Sequence, residues 1–171
     1  MKKDQKGFSL IELLIVVAII LIIAAIAIPN LLRARMSANQ ASAVGSLRTI
    51  STANVMYSST WGDGFAPNLA ELGGTAGTTT ATCSAALLID PVLAAGVKSG
   101  YTFTYTAGAT PYGVGTPPEG CSGWGPITFT VSAAPTSLNQ TGQIGYFVDD
   151  SGVVRYNSAG AAPTNTSPSL Q

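Results

Sequence analysis

The strongest feature of the hydropathy pattern is a long apolar segment near the start of the chain. Residues 8 to 28 read FSLIELLIVVAIILIIAAIAI, which is 21 residues with one charge, Glu12. At about 1.5 Å per residue, a helix of this length crosses a hydrocarbon layer of roughly 30 Å. The pattern therefore predicts a membrane helix. Because Lys2, Lys3 and Lys6 precede it, the positive-inside rule places the first residues in the cytoplasm and the remainder across the membrane.

The helical pattern continues after Pro29, now with one apolar face. Side chains at helical spacing predict a stripe that faces a core: Met36, Val44, Leu47, Ile50, Asn54 and Tyr57. A proline inside a helix removes one backbone hydrogen bond and crowds the preceding turn. We therefore expect a kink or a loosened stretch at residues 25 to 29, within a helix that runs from Phe8 to about Tyr57.

Beyond this helix the composition changes to Gly, Thr, Ser and Pro, and the pattern predicts short elements. Prolines suited to a first helical turn predict two short helices, at residues 67 to 72 and 91 to 95. Alternating apolar and polar residues predict four antiparallel strands: 101 to 106, 127 to 133, 144 to 149 and 153 to 156. In the first strand, Tyr101, Phe103 and Tyr105 are expected to face inward and the threonines outward.

These elements predict an α+β fold in which the amphipathic half of the long helix covers a small antiparallel sheet. The expected organisation is a membrane helix at residues 8 to 30, an amphipathic continuation at 31 to 60 and a globular sheet domain at 61 to 171. Residues 107 to 126 are rich in glycine and proline, and the tail from Gly160, GAAPTNTSPSLQ, has few apolar residues. Both are expected on the surface, the tail without fixed order.

The composition excludes several functional classes. The 171 residues are enough for one modest domain with an appended segment. Eight Lys and Arg balance eight Asp and Glu without forming a basic stripe, so the pattern does not favour nucleic-acid binding. The absence of histidine excludes histidine-based triads, Cys–His pairs and the usual zinc sites. We predict no cofactor.

The two cysteines, Cys83 and Cys121, do not form a C-x-x-C pair. In a small exported domain the ordinary interpretation is one disulfide, and the alternative is two free, buried thiols. A bond would close a loop of 38 residues. In the chain-entropy model such a bond stabilises the fold by about 3 to 4 kcal/mol.

Metal and catalytic motifs are weak. The segment Asp149-Asp150-Ser151-Gly152 offers carboxylates to calcium, but a tight turn between two strands explains the same residues. We predict no metal site, with Asp149 and Asp150 as the weak candidates. A carboxylate-based hydrolase would need a pair of acids, and nothing in the sequence pairs the available ones: Glu71, Asp90, Glu119, Asp149 and Asp150. The sequence does not predict an enzyme.

The segment K-G-F-S-L-I-E at residues 6 to 12, followed by an apolar helix, resembles the leader and amino terminus of type IV prepilins and the related secretion pseudopilins. The resemblance implies that a dedicated peptidase cuts after Gly7, removes a leader of residues 1 to 7 and methylates the new amino terminus at Phe8. It implies that Glu12 is needed for assembly. Residue 29 falls where these pilins often carry a helix-disrupting proline, so the resemblance also assigns Pro29 to assembly.

The resemblance also implies a function, a set of partners and a location. The function is that of a structural subunit of a type IV pilus-like filament, polymerised through the apolar helix. The implied partners are other copies of the chain, the prepilin peptidase, an inner-membrane assembly platform with a motor ATPase, and an outer-membrane secretin. The chain is expected in the inner membrane before assembly and on the surface of a Gram-negative bacterium afterwards. A pseudopilin of a type II secretion system is the alternative within the family.

Placing the charged side chain of Glu12 in lipid costs free energy, and a positively charged partner would reduce that cost. Insertion scales assign about 2.5 to 3.5 kcal/mol to a charged residue at mid-bilayer and less near the ends. After cleavage, the amine of Phe8 and the carboxylate of Glu12 would stand at i and i+4 on one helix face. In a polymer of bundled helices, the carboxylate can instead meet the amine of an adjacent copy. We hypothesise that Glu12 sets the stagger between subunits.

Two alternatives outside the family explain parts of the pattern. Residues 25 to 27, Ala-Ile-Ala, resemble a signal-peptide cleavage site, although this apolar run is longer than usual and continues into a helix. In a membrane-anchored periplasmic protein, Glu12 would merely snorkel toward the headgroups. The mature amino terminus separates the three possibilities: methylated Phe8, a start after Ala27, or intact Met1.

Overall fold

The computed structural model describes residues 8 to 170. The helices are α1 (Leu10–Trp61), α2 (Leu69–Gly73) and α3 (Pro91–Ala94). The strands are β1 (Val97–Lys98), β2 (Tyr101–Ala107), β3 (Phe129–Pro135), β4 (Gly145–Asp149) and β5 (Arg155–Asn157). The chain forms two compact units, one ending at Arg35 and one beginning at Met36. The predicted α+β class is confirmed.

Helix α1 passes through Pro29, as the continued helical pattern predicts. Residues 25 to 29 are all α-helical, so the structure shows no loosened stretch beside the proline. The helix ends at Trp61, later than the predicted end near Tyr57. Gly62 follows in the left-handed region, with φ 65°, which is the usual way for a helix to terminate.

The five strands form one antiparallel sheet in which each strand pairs with the next along the chain. All seven residues of β2 pair with the seven residues of β3. Tyr101 and Phe103 are buried and Tyr105 is half-buried, while Thr102 and Thr104 are exposed. The predicted register, with aromatic rings inward and threonines outward, is confirmed.

Some strand boundaries differ from the prediction. β3 starts two residues late because the amide of Ile127 bonds instead to the carbonyl of Thr110, at 3.0 Å. β5 starts at Arg155 rather than at residue 153, since the carbonyl of Val154 accepts the amide of Leu170 at 2.8 Å. β1 has only two residues, too few to give a periodic signal, and it was not predicted.

The second unit has a single core between α1 and the sheet. The buried side chains of α1 recur at helical spacing: Ala43, Ser46, Leu47, Ile50, Ala53, Asn54 and Tyr57. Leu47 and Tyr57 join Val131 of β3 in one hydrophobic cluster, which confirms the predicted cover of the sheet. Met36 and Val44 are only half-buried, because the buried face of the helix is centred on other positions, including the small residues Ala43, Ser46 and Ala53.

Side-chain caps set the starts of the two short helices. α2 begins at Leu69, two residues later than predicted, because Asn68 is its N-cap and accepts the amide of Glu71 at 2.9 Å. α3 begins at Pro91 as predicted, with Asp90 as the N-cap. The prolines predicted the approximate position of each helix, whereas the first helical residue is set by the N-cap, Asn68 or Asp90.

The C-terminal tail departs from the expectation of disorder. The amide of Leu170 donates to the carbonyl of Val154 at 2.8 Å, and the side chain of Arg155 donates to the carbonyl of Ser167 at 3.0 Å. Pro163 is buried, and Leu170 packs against the core. β5 is the last strand of the sheet, so its free edge offers backbone partners to any sequence. Composition gives no sign of such pairing.

Candidate functional site

The first part of α1, with the two residues before it, carries an exposed apolar surface, which we call the apolar segment, Phe8 to Leu32. Seventeen of its side chains are large, apolar and exposed, and none of its residues is buried. The most apolar 18-residue window of the helix has a mean hydropathy of 3.3. By length and composition the helix is able to cross a membrane, a criterion that signal sequences near an amino terminus also meet. Exposed apolar surface on this scale marks a membrane or protein contact.

Glu12 lies in the first turn of α1 and holds the helix start. Its Oε2 atom accepts a hydrogen bond from the backbone amide of Ser9 at 2.9 Å. The sequence Ser9-Leu-Ile-Glu12 has the S-x-x-E spacing of a capping box, a signal that the sequence interpretation did not use. A negative charge at this end also suits the helix dipole. The carboxylate therefore has a local role besides any role between copies.

Of the other residues predicted to act in processing and assembly, the structure describes Phe8 and Pro29 but not Gly7. Gly7, the predicted cleavage site, lies outside the described residues. Phe8, the predicted new amino terminus, is 88% exposed. Pro29 is exposed inside α1. Cleavage, methylation and an assembly role for the proline stay predictions.

The predicted disulfide between Cys83 and Cys121 is present, with the two Cα atoms 4.9 Å apart. Cys83 is buried and Cys121 is half-buried. The hydroxyl of Tyr57, on α1, donates to the carbonyl of Cys83 at 2.9 Å. Burial raises the pKa of this hydroxyl above its usual range. The bond therefore ties the loop before β3 to a segment that is already anchored on the long helix.

Asp63 is a buried acid beside the disulfide. It is 2% exposed, and its Oδ1 atom has no hydrogen-bond partner among the described residues. Its Oδ2 atom lies 3.7 Å from Sγ of Cys83, which carries no proton in a disulfide and so donates nothing. Burial raises the pKa of Asp63, while the backbone amide of Gly125 lowers it. The two sulfurs are bonded to each other, so this cluster of Asp63 with Cys83 and Cys121 offers no thiolate to a metal.

A second buried polar group joins the helix, a loop and the sheet. Asn54 is fully buried on α1, and its Oδ1 atom accepts the amide of Ala66 at 3.1 Å. The hydroxyl of Tyr105, on β2, lies 3.0 Å from the same oxygen and 2.5 Å from the carbonyl of Ala66. Asn54 also donates to the carbonyl of Ile50 at 3.2 Å. This network fixes the position of the helix relative to the sheet.

The weak metal candidates lie in a turn. Asp149 accepts hydrogen bonds from both the amide and the hydroxyl of Ser151, and the amide of Gly152 donates to the carbonyl of Asp149 at 2.9 Å. Gly152 has φ 73°, which suits this turn between β4 and β5. The turn therefore accounts for the placement of Asp149.

The comparisons with known proteins agree with the apolar segment. A family model described as the prokaryotic N-terminal methylation motif matches residues 2–28. The type IV wide pilus major component PilA4 of Thermus thermophilus is 68% identical over 37 residues, which are 22% of this chain and 28% of that protein. The type IV major pilin protein PilA of Myxococcus xanthus is 35% identical over 149 residues, covering 77% of this chain and 66% of that protein.

The chain belongs to the type IV pilin family. This pilin spans just under two thirds of the Myxococcus relative and about a quarter of the Thermus relative. No solved structure matches it.

Acids of the pilin that were considered for hydrolysis have structural partners. Asp90 caps α3 and pairs with Nζ of Lys98 at 2.8 Å, and this hydrogen bond lowers the pKa of Asp90. Glu71 accepts a hydrogen bond from the side chain of Asn68 at 3.2 Å, and burial raises its pKa. These contacts explain the acids through helix capping and ion pairing.

Proposed function

We propose that this pilin is a structural subunit of a type IV pilus-like filament and that its apolar segment forms the filament core. The observation that carries the proposal is the set of seventeen exposed, large apolar side chains from Phe8 to Leu32, sixteen of which lie on α1. A buried side chain of this kind gains about 1.5 to 3 kcal/mol over an exposed one. Lipid and other copies of the chain are the surfaces that can bury them. A helix that contacts lipid before assembly and other copies of the chain afterwards would need a continuous apolar surface of this kind.

Processing precedes assembly in this proposal. The precursor sits in the inner membrane through the apolar segment, and a prepilin peptidase cuts after Gly7 and methylates Phe8. The match of residues 2–28 to the methylation motif supports this step. The new amine then stands beside Glu12, which lies one helical turn further on. That amine, or the amine of an adjacent copy, neutralises the carboxylate in a dry core.

The remaining partners follow from the proposed filament. They are an inner-membrane assembly platform, a motor ATPase and an outer-membrane secretin of a Gram-negative bacterium. The finished filament lies on the cell surface. The pilin itself carries out no reaction, and its work is polymerisation.

A pilus subunit is favoured over a secretion pseudopilin. Both relatives carry names of pilus components, "Type IV wide pilus major component" and "Type IV major pilin protein". The second of them aligns with 77% of this chain, well beyond the apolar segment. The similarity therefore includes the sheet domain, the part in which we expect members of the family to differ.

The experiment is to shear surface fibres from cells and determine the amino terminus of their main protein by mass spectrometry. Fibres built from this chain, beginning at methylated Phe8 and absent after deletion of the gene, are the expected result. A chain that begins after Ala27 would point to a secreted protein. A chain that keeps Met1 and stays in the membrane fraction would point to a simple anchor. Either outcome contradicts the proposal.

A further inference from the structure

The charges at the two ends of the apolar segment are complementary. Between residues 8 and 35 the charged side chains are Glu12 near one end and Arg33 and Arg35 at the other. Both arginines are exposed, and neither forms a salt bridge with any residue from 8 to 170. The stretch from 13 to 32 between them carries no charge. Two parallel copies at most offsets would therefore place Glu12 against apolar side chains.

Helical geometry distinguishes the two arginines. Arg35 follows Glu12 by 23 residues, which is roughly 35 Å along an α-helix and about 140° around its axis. Arg33 follows by 21 residues, roughly 32 Å along the helix and about 60° around it. Two parallel copies side by side touch through nearly opposite faces. Arg35, far around the helix from Glu12, fits that requirement, and Arg33 does not.

We propose that Glu12 of one copy pairs with Arg35 of a neighbouring copy displaced by roughly 35 Å along the filament axis. This contact rests on the proposed function and specifies the partner and the offset in the filament core. One oxygen of Glu12 accepts the amide of Ser9, and a carboxylate has lone pairs left for a guanidinium and an amine. Any other offset leaves the carboxylate without the guanidinium in surroundings that screen charge poorly.

The same contact accounts for an open polymer rather than a closed ring or dimer. Glu12 and Arg35 lie on different faces and at different heights of one helix. Each copy therefore uses its carboxylate toward one neighbour and its guanidinium toward another. A head-to-tail contact of this kind continues without limit when successive copies are displaced along an axis.

The first test compares Arg35→Gln with Arg33→Gln, two neutralisations two residues apart at the same end of the apolar segment. We expect Arg35→Gln to lower the yield of sheared fibres by about tenfold or more, because it removes the guanidinium from Glu12 and leaves that carboxylate with the amine alone in a poorly screening core. Arg33→Gln should stay within about twofold of the unaltered chain. Immunoblots of the membrane fraction check that both variants accumulate equally. Equal fibre yields for the two variants would overturn the proposal.

The second test reads the offset directly through a chain carrying Ser9→Cys and Leu32→Cys, positions that are also 23 residues apart. The native cysteines are bonded to each other, so the introduced thiols are free to react together. Co-expression with the unaltered chain ensures that fibres form, and mild oxidation should then give crosslinked dimers on a non-reducing gel. The matched control is Ser9→Cys with Ile28→Cys, about one turn lower on the same face. It should crosslink at least about fivefold less.

The outcomes separate this proposal from the proposed function. Fibres without crosslinks in the first pair, or with equal crosslinks in both pairs, contradict the offset while leaving the filament role intact. A failure of the unaltered chain to form fibres contradicts the filament role itself.

Discussion

The backbone amide of Ser9 donates a hydrogen bond to Oε2 of Glu12 over 2.9 Å, at the first turn of α1. Ser9 lies beyond the predicted cleavage bond after Gly7, so its amide is the same group before and after processing. The carboxylate therefore caps the helix in either form. Its negative charge is available in addition to this cap, and the two contributions can be tested separately.

Substitution of Glu12 separates the charge from the cap. Glu12→Gln keeps a side-chain oxygen that accepts the amide of Ser9 but removes the charge, whereas Glu12→Leu removes both. We expect both variants to lose normal filaments by electron microscopy, because both lack the charge that pairs with an amine or a guanidinium. In detergent, only Glu12→Leu should fray the helix start, since lost caps cost about 0.5 to 2 kcal/mol. Filaments of normal number and length from Glu12→Gln would contradict the role assigned to the charge.

Asn54 is expected to be the most sensitive polar position in the sheet domain. Asn54→Ala leaves the amide of Ala66 and the hydroxyl of Tyr105 without this acceptor in a buried site. We expect a loss of about 2 to 4 kcal/mol in the free energy of unfolding, from one broken network and a small cavity. Urea unfolding of the full chain in detergent measures it. Thr52→Ala, on the exposed side of the same helix, is the control and should change stability by less than about 0.5 kcal/mol.

Removal of the disulfide should destabilise the sheet domain while leaving the apolar segment unchanged. The bond closes a separation of 38 residues, for which chain entropy gives about 4 kcal/mol. The Cys83→Ser, Cys121→Ser double variant should lose about this amount in urea unfolding. Ser122→Ala, an exposed neighbour of the bond, serves as the control. Equal stability of the double variant and this control would show that the bond contributes nothing to the fold.

Asp63 predicts a pH dependence of stability. Burial raises the pKa of Asp63 in the folded chain, so the folded state holds its proton to higher pH than the unfolded state does. Stability from this group is complete below the unfolded pKa, about 3.9, and is lost as pH rises through the folded pKa. The side chain of Asn does not ionise. We therefore expect the stability of Asp63→Asn, relative to that of the natural chain, to increase as pH rises from about 4 to 7.

Thermal unfolding of the two chains across this pH range measures the difference. Glu71 and Tyr57 are the titratable groups coupled to Asp63, and the negative charge of Asp63 raises the pKa of each. Glu119→Gln, at an exposed position, is the matched control. A stability difference between Asp63→Asn and the natural chain that does not vary with pH would contradict a buried, ionising carboxylate.

The sequence predicted those features that are local. An apolar run with one charge is a property of consecutive residues, and so is the alternation that placed Tyr101 and Phe103 inward. The disulfide was predictable because the chain has only two cysteines. Glu12 was recognised from its place in an apolar run, although its capping hydrogen bond was missed.

Features that depend on distant partners were not predictable from one sequence. Spacing placed Asn54 on the inward face, but its partner Tyr105 lies 51 residues away. Asp63-Gly64 is typical of an exposed turn, and its burial depends on the close approach of Gly125, where a side chain would overlap the carbonyl oxygens of Asp63 and Phe65. The ordered tail likewise depends on the free edge of β5. Each case requires the fold to bring together segments whose pairing leaves no local pattern.

The measurement that tests the central claim most directly is the accessibility of the apolar segment in native fibres. Ile22→Cys and Val114→Cys each place one thiol at a position that is exposed in the single chain, 63% and 91% respectively. A membrane-impermeant maleimide should label Val114→Cys in intact fibres and leave Ile22→Cys about tenfold or more less labelled, because neighbouring helices exclude the reagent. Full dissociation in denaturing detergent should equalise the two. Equal labelling of both positions in intact fibres would show that the apolar segment does not form the filament core.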